Sequence, residues 1–588
     1  MKSSIYIVFF ILGLSTLLFA NSTAEYNKAQ ETLRERGEVY FKFYVNSPAD
    51  LNEHDLFNVV SIDRIDYNEI HAYANRDEFE RFTLCNLYYE VLTPQSLTIP
   101  VEMSDSYDNP ETGSRFDFYR YPTYSAYVEQ MKSWVTQFPE LCHLDTLGFT
   151  KNNKHAILLL RVESDIDKTN GKPKFLRTAT IHGDEVLNYM NTLHTIDTLL
   201  NNYGKDTRIT KLVDSIDFYF CPSLNPDATY LSGDHTVQGA RRYNLADNYD
   251  LNRNYPDGCG NSSHAKWGLY STSALETQAI LNLHARYHFA IGIDDHGGAE
   301  TILWPYGFKQ NRCCDEDWHK YLCKQFADQV HEDCNYNGYL TSWCGSDGMG
   351  HLYSEMYEAH GTRLDYQVYY GHGKTSTPET SNQKLLDESK LRTHWIYLKE
   401  AYFQMYELLY TGIQGIVSDG ITKLPIYNAK MTRNGDFDNA EVYTDSAGFY
   451  CRFTTKGNYT LTFSHPDYQS RTFSNFSVDD YTKKYPLDVE LWPIGTNSNN
   501  NLDYDKNSVT ITPYKNGFRI NSRNTGINVK AGIYSINGKL IRMLPVAAGA
   551  EIVWDGTDTS GRLSGNGCYI VSVLAGDQKV SQSFIINR

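Results

Sequence analysis

The chain has 588 residues, which is long enough for several domains, and its apolar fraction of 41% is ordinary for globular protein. The formal net charge of -17 at neutral pH argues against nucleic acid as a partner. Residues 1–24 place Lys2 before an apolar run from Ile5 to Ala20, and small residues follow up to Ala24. This order predicts a secretory signal peptide cut after Ala20 or Ala24, because the run is short for a membrane anchor.

The export signal predicts a secreted or extracellular protein, with attachment to the cell surface as an alternative. No later stretch of the sequence is long and apolar enough to cross a bilayer. Disulfides are compatible with this location, because exported proteins meet oxidising conditions. Five of the eleven cysteines lie close enough along the chain to pair among themselves: Cys313, Cys314, Cys323, Cys334 and Cys344.

Residues 25–105 predict a small α/β domain, since short apolar strands there flank a segment with helical spacing. The expected elements are strands at 39–45, 70–74 and 88–92 and a helix at 76–84. The polar stretch from Ser104 to Arg115 contains Asn109-Pro110 and Gly113, which is typical of a linker.

Strands and helices alternate from residue 115 to residue 410, which predicts an α/β domain with a mainly parallel sheet and helices on both faces. The expected elements are strands at 157–162, 175–181, 216–222 and 289–295 and helices at 123–138, 186–203 and 391–409. Short alternating strands and turns then predict a small β-sandwich at 411–495. A low-complexity linker at Asn497–Asn501 precedes a second all-β domain at 507–588.

His182-Gly183-Asp184-Glu185 lies where a predicted strand passes into a predicted helix, and His296 ends another strand of the same domain. Such strand ends form the edge at which open α/β sheets place their sites. Two imidazoles and one carboxylate make a catalytic zinc set with one position left for water. Alone, the His-x-x-Glu motif is weak, because surface turns often carry it by chance.

Hydrolysis at such a site also needs a carboxylate that takes a proton from water and passes it to the leaving amine. Removal of a C-terminal residue further needs a cation for the substrate's terminal carboxylate, and arginine suits that geometry. Asn252-Arg253, within the segment 249–257, is the candidate.

Several ordered motifs now resemble the zinc metallocarboxypeptidases of the funnelin type, including carboxypeptidases A and B and their N, E and D relatives. The matching residues are His182-Gly183-Asp184-Glu185, Asn225-Pro226-Asp227, Asp250-Leu251-Asn252-Arg253-Asn254, His296, Leu303-Trp304-Pro305-Tyr306-Gly307, Tyr357, Asp365-Tyr366 and Glu379. The resemblance covers roughly residues 115–410 and implies an eight-stranded sheet, peptides or protein C-termini as partners and one zinc ion held by His182, Glu185 and His296.

The resemblance also implies the roles of the other site residues. Glu379 would be general base and then general acid, Asn252 and Arg253 would bind the terminal carboxylate, and Tyr357 would close over the substrate. Arg242 would polarise the scissile carbonyl, with the adjacent Arg241 as the alternative.

Glu379 departs from the family pattern because it follows Pro378, and proline is poorly placed inside a sheet. Either the strand ends at this point or the alignment slips. Glu355 and Glu358 are the alternative bases.

Selection of the terminal residue is implied at two positions, Leu364 and Gly307, where relatives that remove lysine or arginine carry a carboxylate. Neither residue is charged here, which predicts a preference for hydrophobic C-terminal residues. Arg363 and Glu300 are the charged residues that could alter this by reaching the pocket.

The outer domains carry weaker resemblances. Residues 25–105 resemble activation segments of these enzymes, residues 411–495 a transthyretin-like domain, and residues 507–588 the C-terminal sorting domains of type IX secretion substrates. The last resemblance implies secretion machinery as a partner. Two alternative functions stay open: trimming of cell-wall peptides by the same zinc chemistry, and an inactive binding homologue.

Overall fold

The computed structural model describes residues 23–586 except 48–49, 54, 110, 114, 167–170, 259–272, 342–348, 495–508, 515–516, 523–528, 536–538, 547–550, 560, 566 and 576–577. It forms two compact units, Met1–Thr496 and Asn497–Arg588. The predicted signal peptide up to residue 22, the linker Asn497–Asn501 and Cys344 lie outside the described residues. Every helix among the described residues is too short or too polar to cross a membrane.

The N-terminal part of the first unit is a four-stranded antiparallel sheet of order β2-β3-β1-β4. Its strands are β1 Val39–Tyr44, β2 Ser61–Asp66, β3 Glu69–Ala74 and β4 Tyr89–Val91. Its helices are 23–36, Asp50–Glu53, Arg76–Thr83 and Gln95–Thr98, with a 3₁₀ turn at Leu56–Asn58. Strand β2 lies at the edge, and Asp63 is an extra residue between the pairs Ile62–Ala72 and Arg64–His71, which makes a β-bulge.

The first unit also contains an eight-stranded mixed sheet of order β13-β12-β14-β11-β9-β10-β8-β7. Its strands are β7 Cys142–Phe149, β8 Ala156–Val162, β9 Lys174–Ala179, β10 Asp217–Cys221, β11 Ile291–Asp295, β12 Ala299–Trp304, β13 Met349–His351 and β14 Lys374–Ser381. A two-stranded pair, β5 Met103–Ser104 and β6 Tyr121–Pro122, precedes it.

The helices of this domain cover the sheet, so every position of the central strands β9 and β11 is buried. They span Tyr124–Gln137, Leu187–Asn202, Thr207–Ser215, Pro226–Thr229, Leu275–Arg286, Glu316–Cys334, Arg363–Tyr369 and Glu388–Glu407, with 3₁₀ turns at Leu251–Arg253 and Leu408–Tyr410 and a π-helical turn at Leu352–Met356. Thr123 caps the first of these helices as predicted. The predicted α/β class with a large sheet between helices is confirmed.

Strand β14 runs through Pro378, so the expectation that the strand ends there is wrong. Ile302 of β12 pairs with Pro378 on one side. On the other side the regular pairing with β11 stops at Ile293–Ser376 and resumes at the bridge between His296 and Glu379. Proline is tolerated in this interval because its carbonyl still accepts the His296 N–H at 2.9 Å, and the interrupted pairing needs no N–H donor at this position.

Residues 412–491 form two facing sheets. The first has the order β18-β15-β21, and β22 also pairs with β15. The second has the order β17-β16-β19-β20. Their strands are β15 Gly412–Asp419, β16 Lys430–Arg433, β17 Val442–Tyr443, β18 Phe449–Arg452, β19 Gly457–His465, β20 Tyr468–Val478, β21 Lys484–Pro486 and β22 Val489–Leu491.

The second unit has two further sheets, of orders β23-β24-β27 and β26-β25-β28-β29. Their strands are β23 Val509–Tyr514, β24 Gly517–Ser522, β25 Val529–Ser535, β26 Leu540–Val546, β27 Glu551–Trp554, β28 Gly567–Ala575 and β29 Gln578–Ile586. Both C-terminal regions are thus all β, as the sequence predicted.

The four described members of the cysteine cluster are free thiols, so their predicted pairing is not observed. Their surroundings differ: Cys313 packs near Tyr306 and Phe308, and Cys323 lies in the main core.

Candidate metal centre

His182, Glu185 and His296 meet at the carboxyl ends of two neighbouring parallel strands. His182 follows β9, Glu185 precedes the helix Leu187–Asn202, and His296 directly follows β11. All three side chains are buried, and their candidate ligand atoms lie within 4.8 Å of one another. His182 and His296 are more than a hundred positions apart in the sequence, and they lie together as expected from their places at strand ends.

Each histidine turns Nδ1 towards Glu185 and Nε2 towards an aspartate. The Nδ1 atoms of His182 and His296 each lie 2.9 Å from a Glu185 carboxylate oxygen. The Nε2 atoms lie 3.1 Å from Asp250 and from Asp294. A carboxylate accepts, so both ring nitrogens of each histidine face an acceptor in this structure. With a metal ion on the Nδ1 side, the aspartates would keep the proton on each Nε2 and leave the Nδ1 lone pairs for the ion.

This donor set fits zinc, since it offers two imidazole nitrogens, one carboxylate and supporting aspartates behind the histidines. Sequence reasoning missed both supporting residues as such. Asp250 belongs to the segment 250–254 that matched the family pattern. Asp294 could have been found from its position two residues before His296 on the same strand.

Glu379 lies beside the ligand cluster. One of its carboxylate oxygens is 4.0 Å from Nδ1 of His296. Burial raises the pKa of Glu379 to about 8, and the nearby Glu185 adds to this while His296 opposes it. The alternative base Glu358 instead contacts His360 Nε2 at 2.7 Å, and the Glu355 side chain lies outside the described part of the chain.

Arg242, rather than Arg241, faces the ligand cluster. Nη1 of Arg242 donates to Glu185 Oε1 at 3.1 Å, whereas the Arg241 guanidinium donates to backbone carbonyls of Tyr243, Asn244 and Arg36. The sequence could not separate two adjacent arginines, because only the direction of each side chain distinguishes them.

Asn252, Arg253 and Tyr357 form one hydrogen-bonded group next to the histidines. Arg253 donates to the Tyr357 hydroxyl at 3.2 Å and to the Asn252 carbonyl at 2.8 Å. The Asn252 amide nitrogen is 3.3 Å from His296 Nε2. The structure thus brings Asn252 and Arg253, which the sequence assigned to a terminal carboxylate, together with Tyr357, which it assigned to closing over the substrate. These roles stay predictions.

A cleft connects the ligand cluster with an apolar side. That side is lined by Leu303, Leu352, Met356, Ala359 and Leu364.

Gly307 lies behind the apolar side of the cleft, since a Cβ there would come 2.6 Å from Leu352 Cδ2 and 3.3 Å from Ala359 Cβ. Its N–H donates to the carboxylate of Asp365 at 2.9 Å. Among the described residues that line the cleft, Arg363 and Glu300 do not appear.

Two residues of the N-terminal sheet, Ile62 and Asp63, also line this cleft. The Ile62 carbonyl accepts from the Tyr357 hydroxyl at 3.3 Å, and Asp63 Oδ1 accepts from Arg242 Nη1 at 3.1 Å. Lys384 contacts the same Asp63 oxygen at 2.6 Å. Sequence reasoning missed Asp63 and Lys384, and their separation of 321 positions left no local signal.

Residues 127–401 match the family model described as zinc carboxypeptidase. Among curated relatives, carboxypeptidase D of Drosophila melanogaster is 26% identical over 62% of this chain and 26% of its own length. Carboxypeptidase M of Mus musculus is 26% identical over 58% of this chain and 77% of its own length. The chain therefore spans about a quarter of the first relative and about three quarters of the second.

Among solved structures, carboxypeptidase A from Helicoverpa armigera aligns with a TM-score of 0.48 and 17% identity, over 64% of this chain and 97% of that one. Over residues 127–401 the chain is therefore similar to zinc carboxypeptidases.

Proposed function

We propose that the protein is a metallocarboxypeptidase that hydrolyses the C-terminal peptide bond of peptides or proteins. The observation that carries the proposal is one cleft that holds the His182, Glu185 and His296 cluster, Glu379 and Arg253. Its parts match the needs of the reaction: a metal set, a proton carrier and a cation for a terminal carboxylate.

One zinc ion held by the two Nδ1 atoms and Glu185 would lower the pKa of a water molecule to about 7. Glu379 would accept a proton from that water and deliver it to the nitrogen of the leaving residue, for which a pKa near the working pH is suited. Arg253 and Asn252 would hold the terminal carboxylate, and Tyr357 would close over the substrate. Arg242 would stabilise negative charge on the scissile carbonyl oxygen.

The preferred C-terminal residue is proposed to be hydrophobic. The far side of the cleft is built from leucines, a methionine and an alanine, and its lining acids, Asp63, Glu185 and Glu379, lie by the metal cluster. A lysine side chain entering the apolar side would lose its hydration without gaining a carboxylate partner.

Residues 25–105 are proposed to close the site in the intact chain, as the resemblance to activation segments implies. Support comes from Ile62 and Asp63, which occupy the cleft and contact Tyr357 and Arg242. Cleavage within the linker 105–115, followed by dissociation of the segment, would then open it. Secretion through the predicted signal peptide, with residues 507–588 as a sorting domain, belongs to the same proposal.

The test uses the full chain, loaded with zinc and assayed before and after proteolysis in the linker 105–115. Matched peptides would carry a free C-terminal phenylalanine, an amidated C-terminus, or a cell-wall stem sequence. We expect release of a single residue from the free peptide only, abolished by chelation and restored by zinc. Release that survives chelation would refute the proposal, preference for the stem sequence would favour cell-wall trimming, and zinc binding without any release would favour an inactive homologue.

A further inference from the structure

A single oxygen atom of the N-terminal domain is held by two cations of the catalytic domain. Asp63 Oδ1 accepts from Arg242 Nη1 at 3.1 Å and from Lys384 Nζ at 2.6 Å. Both cations are almost completely buried. The contact is therefore an enclosed site for one negatively charged oxygen, filled in this structure by the protein's own carboxylate.

This oxygen lies next to the candidate metal ligands. Arg242 Nη1 is 3.1 Å from Glu185 Oε1, and Lys384 Nζ is 3.6 Å from the same ligand oxygen. A Cβ at Gly298, two residues after His296, would lie 3.9 Å from Asp63 Oδ1. A substrate carbonyl presented to the metal site would place its oxygen in this neighbourhood.

Asp63 is the extra residue of the β2 bulge. Both cations also have contacts that do not involve Asp63. Lys384 follows β14 and donates to Asp184 Oδ2 at 3.1 Å, while Arg242 is anchored by Glu185 and lies near Asp250 at 3.6 Å. An ammonium group has three donors. Removal of Asp63 therefore leaves one Lys384 donor directed at the vacated oxygen position.

We propose that Lys384 is a second oxyanion-binding residue, which together with Arg242 binds the scissile carbonyl oxygen as that oxygen becomes negative. Asp63 occupies the same position in the intact chain. The inference rests on the proposed carboxypeptidase function and adds to it a residue for which the sequence had suggested no role.

The step balances without any change at Lys384. Water oxygen forms a bond to the carbonyl carbon, its proton passes to Glu379, and the carbonyl π electrons move to the oxygen that Lys384 and Arg242 face. When the carbon–oxygen double bond re-forms, the carbon–nitrogen bond breaks and the proton moves from Glu379 to the leaving nitrogen. Preplaced cations stabilise a developing oxyanion because they need no reorganisation at the moment of reaction.

The test compares wild type, Lys384→Met and Lys384→Arg. Each is folded as the full chain and loaded with zinc, and is then cleaved in the linker 105–115 so that residues 25–105 can dissociate. We expect Lys384→Met to lower kcat by about 10²–10³-fold with a small change in KM, since removal of one oxyanion donor has effects of this size. Lys384→Arg should recover part of the loss. The affinity for a peptide phosphonate, whose tetrahedral anionic group resembles the oxyanion, should fall in parallel in Lys384→Met.

Zinc content and thermal melting check that each variant folds. The double variant Asp184→Asn/Lys384→Met avoids an unpaired buried carboxylate and should show the same kcat loss. If the freed wild type is active and Lys384→Met matches it in both kcat and phosphonate affinity, Lys384 only fastens the N-terminal domain and the assignment is wrong. If the freed wild type releases no residue at all, the proposed function fails first and the assignment fails with it.

Discussion

Glu379 is the residue whose position the sequence left most open, and its side chain lies 4.0 Å from the His296 ring. We expect Glu379→Gln to keep its zinc and to lose kcat by roughly 10²-fold or more, because the amide cannot carry the proton. Metal analysis and steady-state kinetics would measure both. Glu358→Gln is the matched control, since that carboxylate contacts His360 instead. Near-normal turnover in Glu379→Gln would contradict its assignment as the base.

Leu364 lines the apolar side of the cleft and is 2% exposed. We expect Leu364→Asp to shift kcat/KM towards peptides ending in lysine or arginine, because the new carboxylate gives an entering cation a partner. Leu364→Asn matches the aspartate variant in size but carries no charge. It should therefore weaken release of a C-terminal leucine or phenylalanine without improving release of a C-terminal lysine. Kinetics on four peptides that differ only in the last residue would measure this. Wild-type protein that already prefers lysine would show that a carboxylate outside the described lining reaches the pocket.

Single residues were predictable where their role follows from local pattern. His182 and His296 were found because each stands at the end of an apolar run, and parallel strands bring such ends together. Lys384 and Asp63 were not, because a buried ion pair between distant segments leaves no periodicity in either. The choice between Arg241 and Arg242 needed side-chain directions, which spacing does not contain.

The bulge in β2 is the element that aims a carboxylate at the metal cluster. Ile62 and Arg64 pair with the consecutive residues Ala72 and His71, so deletion of Asp63 leaves both flanking pairs in register. We expect the deletion to leave the N-terminal sheet folded and to raise the basal peptidase activity of the uncleaved chain. Asp63→Asn, which keeps the bulge but removes the charge, should raise it less. Activity of the intact protein with and without linker cleavage is the measurement, and unchanged basal activity in the deletion would count against a blocking role.

Regular elements were largely predictable and irregular ones were not. Periodicity predicted the strands β8, β9, β10 and β11 and the helix capped by Thr123 to within a few residues. The bulge at Asp63 and the passage of β14 through Pro378 both depend on what the neighbouring strand offers. Both features depend on how two strands pair, so the sequence of one strand alone does not predict them.

At the scale of the whole first unit, a buried carboxylate joins the catalytic domain to the β-sandwich. Asp315 accepts from Lys374 at 2.9 Å on its own domain and from Arg433 and Arg452 at 2.6 and 2.9 Å on the other. We expect Asp315→Asn to reduce the free energy of unfolding by about 3–5 kcal/mol, because it leaves buried cations unbalanced. Chemical denaturation measures this, and Asp328→Asn, which breaks an exposed pair with Lys324, is the control that should change little. Equal stability of the two variants would contradict the role of Asp315.

The same network gives a pH dependence with a defined sign. Burial alone would raise the pKa of Asp315, but Lys374, Arg452 and Arg433 hold it well below its usual range. A carboxyl with a depressed pKa stabilises the folded state fully above its unfolded value of about 3.9 and loses that contribution as the pH falls further. We therefore expect the stability gap between wild type and Asp315→Asn to be constant at neutral pH and to shrink below about pH 4. A gap that stayed constant at lower pH would mean that the network acts through packing alone.

The linker at 105–115 makes the contact between Asp63 and its two cations an intramolecular one. A short tether keeps its two ends at an effective concentration in the millimolar range. Once it is cut, the same contacts join two separate molecules, and their occupancy depends on how much protein is present. A cut sample should therefore stay inactive as a peptidase in a concentrated stock. It should become active on dilution, with no further bond broken.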